Sequence, residues 1–150
     1  MNRNLTIYTT ENKPSKNDKL AIVSFLHKHL EQYRDDEADI IKAVDYALQE
    51  GQSFGGKILT TEDNDQIIGV VVINKTGMKG YIPENILVYI AVHKEYRGRK
   101  IGKFLLTKAI ELAEGDVALH VEPENPAKFL YEKVGFTNKY LEMRYKKGEK

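Results

Sequence analysis

The sequence predicts an α/β chain in which helices cover a central mixed sheet. Three observations lead there. Two early segments keep apolar residues at helical spacing, and the middle of the chain switches to a period of two. The second half then runs strand, basic loop, helix, strand, short helix, strand. At 150 residues the chain can hide roughly 70% of its unfolded surface. It is read as a single domain spanning residues 1–150.

Leu5–Tyr8 is the first strand. Over Ser15–Gln32, Leu20, Ile22, Val23, Phe25, Leu26 and Leu30 recur at helical intervals, with Ser15, Asn17 and Asp18 as candidate caps. A second helix over Asp36–Glu50 is carried by Ile40, Ile41, Val44 and Leu48, with Gly51 as its stop. Lys57–Thr61 and Gln66–Asn74 are strands joined by the turn-forming Glu62-Asp63-Asn64-Asp65. The run Ile86–Val92 is apolar enough for a central strand. A helix over Ile101–Glu114 ends at Gly115, and Val117–Val121 is a further strand. Pro126–Val134 is a short helix opened by Asn125 and closed by Gly135, and Thr137–Lys146 is the last strand.

Composition excludes several functions. With 23 basic and 22 acidic residues the net charge is +1, so no whole-molecule field draws the chain to nucleic acid or an anionic membrane. Cysteine is absent, which rules out disulfides, thiolate metal sites and a cysteine nucleophile. Four scattered histidines make no metal site. The start of the chain lacks a secretory apolar stretch, and no apolar run nears the roughly 20 residues that span a bilayer. A cytoplasmic protein is expected, as monomer or homodimer.

The segment Tyr96-Arg97-Gly98-Arg99-Lys100-Ile101-Gly102-Lys103 lies between a buried strand and a helix start. Unpartnered N–H groups and the helix dipole make such a start an anion site. Gly98 and Gly102 let a phosphate approach the backbone, and Arg97, Arg99, Lys100 and Lys103 add charge. A solvated basic turn is the rival reading. Neither a P-loop nor a dinucleotide fingerprint is present.

Val92 to Gly102 resembles the coenzyme A signature of the GNAT superfamily of N-acetyltransferases, [QR]-x-x-G-x-[GA] after a central strand. Arg97 fills the first position and Gly102 the last, while Lys100 replaces the middle glycine. A second stretch, Asn125-Pro126-Ala127-Lys128-Phe129-Leu130-Tyr131-Glu132-Lys133-Val134-Gly135-Phe136, is similar to the superfamily's later motif. The resemblance implies a twisted, mainly antiparallel sheet flanked by helices and acetyl-CoA as cosubstrate. It implies that Ile90, Ala91 and Val92 line the pantetheine arm, and that Arg97, Gly98, Arg99, Lys100, Ile101, Gly102 and Lys103 hold the diphosphate. Asn125 is a further cofactor-binding candidate.

Transfer to an amine expels a thiolate, which gains from a nearby proton donor. Tyr131 is the expected general acid, against the alternative of an aromatic packing residue with Phe129 and Phe136 as companions. His120 is the candidate base, because histidine titrates nearest neutrality, with Glu122 and Glu84 as alternatives. The acceptor is a small-molecule or peptide amine, expected between the first two helices and the late strands. The acidic run Asp35-Asp36-Glu37-Ala38-Asp39 can attract a cation there, although acidic residues at a helix start commonly serve as caps.

Overall fold

The computed structural model describes residues 4–148. Five strands form one sheet in chain order: β1 (Asn4–Tyr8), β2 (Gly56–Asp63), β3 (Gln66–Lys75), β4 (Asn85–Val92) and β5 (Val117–Leu119). The first three pairings are antiparallel, and β4 with β5 is parallel. Between β2 and β3, Asn64 and Asp65 both take positive φ (52° and 62°). A two-residue hairpin needs that geometry, and these residue types tolerate it.

Helices α1 (Lys16–His29) and α2 (Glu37–Leu48) pack on one face, where Ile22, Leu26, Ile40 and Val44 meet Ile58, Val70, Val72, Tyr89 and Ala91. On the other face α3 (Ile101–Leu112) and α4 (Ala127–Val134) set Ile101, Leu105, Leu106 and Tyr131 against Leu59, Ile68, Val71 and Leu87. Burial on both faces explains the unbroken apolar runs of β3 and β4. The expected mixed, mainly antiparallel sheet with flanking helices is the observed one.

Several element ends differ from the sequence reading. Ser15 caps α1, its Oγ accepting from Asp18 N at 3.1 Å, but the helix gives way to a 3-10 turn at Glu31–Tyr33. Helix α2 stops at Gln49, which takes the left-handed conformation itself (φ 55°), two residues before Gly51. Helix α3 ends at Leu112, not at Gly115. A Cβ on Gly115 would sit 2.3 Å from Glu84 Oε1, so this glycine serves a close approach.

The largest difference is the expected strand Thr137–Lys146, which joins no ladder. Strand β5 is only three residues long, and Pro123 and Pro126 turn the chain off its line. That leaves almost no edge for another strand. Tyr140, Leu141, Met143 and Tyr145 are accordingly exposed.

Candidate active site

The site begins where two strands part. Pairing of β4 with β5 ends at Leu87↔Leu119, so the outer edge of residues 88–92 has no ladder partner among the described residues. Strand β4 also carries a bulge. Val72 pairs with Tyr89 and Ile73 with Leu87, which leaves Val88 with no residue opposite it. A bulge reverses side-chain alternation beyond it. Leu87 therefore faces α3, whereas Tyr89, two residues later, faces α1 and α2 with Ala91. Ile90 and Val92 return to the α3 side.

The free edge runs into the basic loop. Lys94–Tyr96 form a 3-10 turn, and the Tyr96 hydroxyl donates to Asp63 Oδ2 at 2.9 Å, tying the loop to the β2–β3 hairpin. Arg99 lies over the Tyr96 ring, 4.8 Å from its centroid. Gly98 (φ 82°) and Lys100 (φ 62°) are both left-handed. Open space surrounds the Cβ position of Gly98, and no side chain caps the first N–H groups of α3. Gly102 serves packing, since a Cβ there would lie 3.2 Å from Leu130 Cδ2 on α4. Ile101 is buried beneath the helix, whereas Lys100 and Lys103 are exposed.

Arg97 is placed differently from the sequence expectation. Its Nη1 donates to Glu31 Oε1 at 2.8 Å, its Nη2 to the His29 carbonyl at 3.2 Å, and its Nε to the Val92 carbonyl at 3.3 Å. The guanidinium holds the Glu31 carboxyl below its ordinary range. The sequence reading also passed over His29, which is 6% exposed with its ring 4.4 Å from that of His93. Burial, then the neighbouring His93, lowers its pKa to about 4.

Tyr131 is buried on α4 and meets Phe136 edge-on at 5.9 Å. Its hydroxyl finds no hydrogen-bond partner among the described residues, and burial pushes its pKa up to about 12. Phe129, expected to pack, is instead 61% exposed. His120 is exposed just past β5, with Nδ1 3.9 Å from Glu142 Oε1. Glu84 is occupied elsewhere: its carboxylate accepts from Gly80 N at 2.9 Å and Asp116 N at 2.7 Å, which lowers its pKa. Glu122 is exposed in the turn beyond β5. The Asn125 side chain accepts from Ala127 N at 2.9 Å and so starts α4.

The α1–α2 connection crosses the opening. The Tyr89 hydroxyl donates to Asp35 Oδ2 at 2.6 Å, and the Tyr33 hydroxyl donates to the Glu124 carbonyl at 3.4 Å. Burial, and then the hydrogen bond to Asp35, raises the pKa of Tyr89 above its ordinary value. Asp36 stands at the cap position of α2 but makes no side-chain capping bond. Among the described residues no helix is long and apolar enough to cross a membrane.

Comparison with known proteins agrees with this arrangement. The family model of the acetyltransferase (GNAT) domain matches residues 54–138. The [ribosomal protein bS18]-alanine N-acetyltransferase of Haemophilus influenzae is 37% identical over 87 residues, covering 55% of this chain and 56% of that one. The chain thus spans little more than half of that relative. Two solved structures share the fold. Ribosomal-protein-alanine N-acetyltransferase from Brucella melitensis biovar Abortus 2308 is 16% identical with a TM-score of 0.65, over 97% of this chain and 99% of that one. Aminoglycoside N-acetyltransferase AAC(6')-Iy in complex with CoA is 14% identical with a TM-score of 0.69, over 99% and 97%. Since the family model covers more than half of the chain, over the parted strands, the basic loop and α4, this protein belongs to the GNAT acetyltransferase family.

Proposed function

We propose that the chain is one catalytic domain, an acetyl-CoA-dependent N-acetyltransferase that moves an acetyl group onto a primary amine by direct attack in a ternary complex. The observation that carries this reading is the unpaired edge of β4 running straight into a basic loop and an uncapped helix start. Along the outer edge of Ile90, Ala91 and Val92, Arg97 takes the Val92 carbonyl and the other outward backbone groups have no ladder partner among the described residues. This edge suits an extended, amide-bearing arm, because such an arm can add to a strand edge by main-chain hydrogen bonds. N–H groups over 97–103, with Lys100 and Lys103, suit a diphosphate.

In this reading an N–H of the β4 edge polarises the thioester carbonyl. Tyr131, whose hydroxyl stays protonated far above neutrality, donates to the departing sulfur. His120 is the candidate base at the β5 side of the opening. Arg97 acts first on the protein, joining the end of α1 to the loop, and its backbone is what the diphosphate meets. Asn125 acts through the start of α4, which carries Tyr131. Likeness to the Haemophilus protein supports a protein N-terminus as a second reading of the acceptor.

Calorimetric titration with acetyl-CoA tests the reading. Micromolar binding that weakens in an Arg97→Ala/Lys103→Ala variant, with free thiol released when amines are added, is the expected result. Binding without thiol release from any amine would leave a silent coenzyme-binding module. No binding would overturn the reading.

A further inference from the structure

Asp35 opens the acidic run before α2 and Tyr89 lies in the apolar run of β4; nothing in either segment pairs them, yet the fold brings them together. The bulge at Val88 turns Tyr89 towards α1 and α2, and its hydroxyl reaches Asp35 Oδ2 at 2.6 Å. Tyr89 immediately precedes Ile90, the first residue of the edge assigned to the thioester. The loop carrying Asp35 is tied at three points: by Glu31 to Arg97 of the basic loop, by Asp35 to β4, and by Tyr33 to Glu124 in the β5–α4 turn. It therefore spans the place where β4 and β5 separate.

Helix capping does not account for Asp35, because the cap position of α2 belongs to Asp36. Nor does charge pairing, since Asp35 has no ion pair among the described residues. Its neighbour Arg34 turns away and donates to the His27 carbonyl at 3.4 Å. A tyrosine hydroxyl thus aims one carboxylate oxygen. The other oxygen accepts no hydrogen bond among the described residues, and Asp35 is exposed.

Resting on the acetyltransferase reading, we propose that Asp35 pairs with the ammonium group of the incoming acceptor, so that the substrate class is a cationic alkylamine. Tyr89 is the positioning residue that holds this carboxylate towards the β4 edge. The role is recognition: the ion pair gathers and orients the acceptor beside the thioester. The ammonium then gives a proton to the base assigned to His120 before its nitrogen attacks, and Asp35 forms no covalent bond.

The test compares two probe acceptors, butylamine, a cation at neutral pH, and aniline, uncharged there, with thiol release as readout. Asp35→Asn is expected to lower the ratio of kcat/KM for butylamine over aniline by about tenfold, mainly through the KM for butylamine. Tyr89→Phe, which keeps the carboxylate and frees it, is expected to lower the same ratio less. Equal losses with both amines would mean that Asp35 only supports the loop, and would overturn the proposal. So would a native protein that binds acetyl-CoA but releases no thiol with butylamine. Failure to bind acetyl-CoA would instead overturn the reading on which the proposal rests. Melting curves of both variants establish that they fold.

Discussion

Lys100 shows how one residue can depart from a motif and keep its backbone. It precedes α3 in the left-handed region, φ 62° and ψ 21°, at the place where the resembling signature has glycine. A side chain there costs about 1–2 kcal/mol. Glycine would relieve that cost but gain freedom in the unfolded chain, which offsets about 0.4–1 kcal/mol. Lys100→Gly is therefore expected to stabilise by about 0.5–1 kcal/mol, near 2 °C in Tm for a chain of this size. A thermal melt checks this, and an unchanged or lower Tm would show that the lysine makes compensating contacts. Single residues were legible where backbone geometry restricts the choice, as with Gly98 in its left-handed turn. They were misread where one side chain has several possible partners. Arg97 invites a phosphate in the sequence, yet three protein oxygens hold its guanidinium.

At the scale of elements, α3 owes its position to a missing side chain beneath it. Gly69 on β3 lets the helix settle, because a Cβ there would lie 2.7 Å from Leu105 Cδ1 and 3.1 Å from Ile101 Cγ2. Gly69→Ala is expected to cost about 1–3 kcal/mol in urea denaturation, as overpacked cores do. Native stability in this variant would mean that Leu105 swings aside without strain. The same helix directs its first N–H groups at the loop, so its seating belongs to the site as much as to the core. Periodicity located the four helices and five strands because each buries one stripe or both faces. It mislocated their ends, which depend on local turn geometry: Gln49 adopts the helix-ending conformation before Gly51 is reached. The apolar residues of 137–146 suggested a strand, but a strand needs an edge to join, and β5 is too short to supply one.

Across the whole molecule, the near balance of charge leaves local burial to set the response to pH. His29 is buried, and its pKa lies at about 4 against an ordinary 6.5. The unfolded chain binds this proton first as pH falls, so the stabilising contribution is complete above about 6.5 and is lost towards 4. Denaturation midpoints are expected to fall over that window, and His29→Gln should flatten this part of the curve. An unaltered slope in the variant would place the acid sensitivity elsewhere. Local pattern alone was enough for the layer architecture, the hairpin turn and the glycine loop leading into α3, because periodicity, turn chemistry and helix termini act over a few residues. Tertiary structure alone decided that β4 and β5 part after Leu87, that Val88 bulges, and that Tyr89 consequently meets Asp35, 54 residues away in sequence. A bulge and a splay arise from how neighbouring strands compete for register, and no single segment encodes that competition.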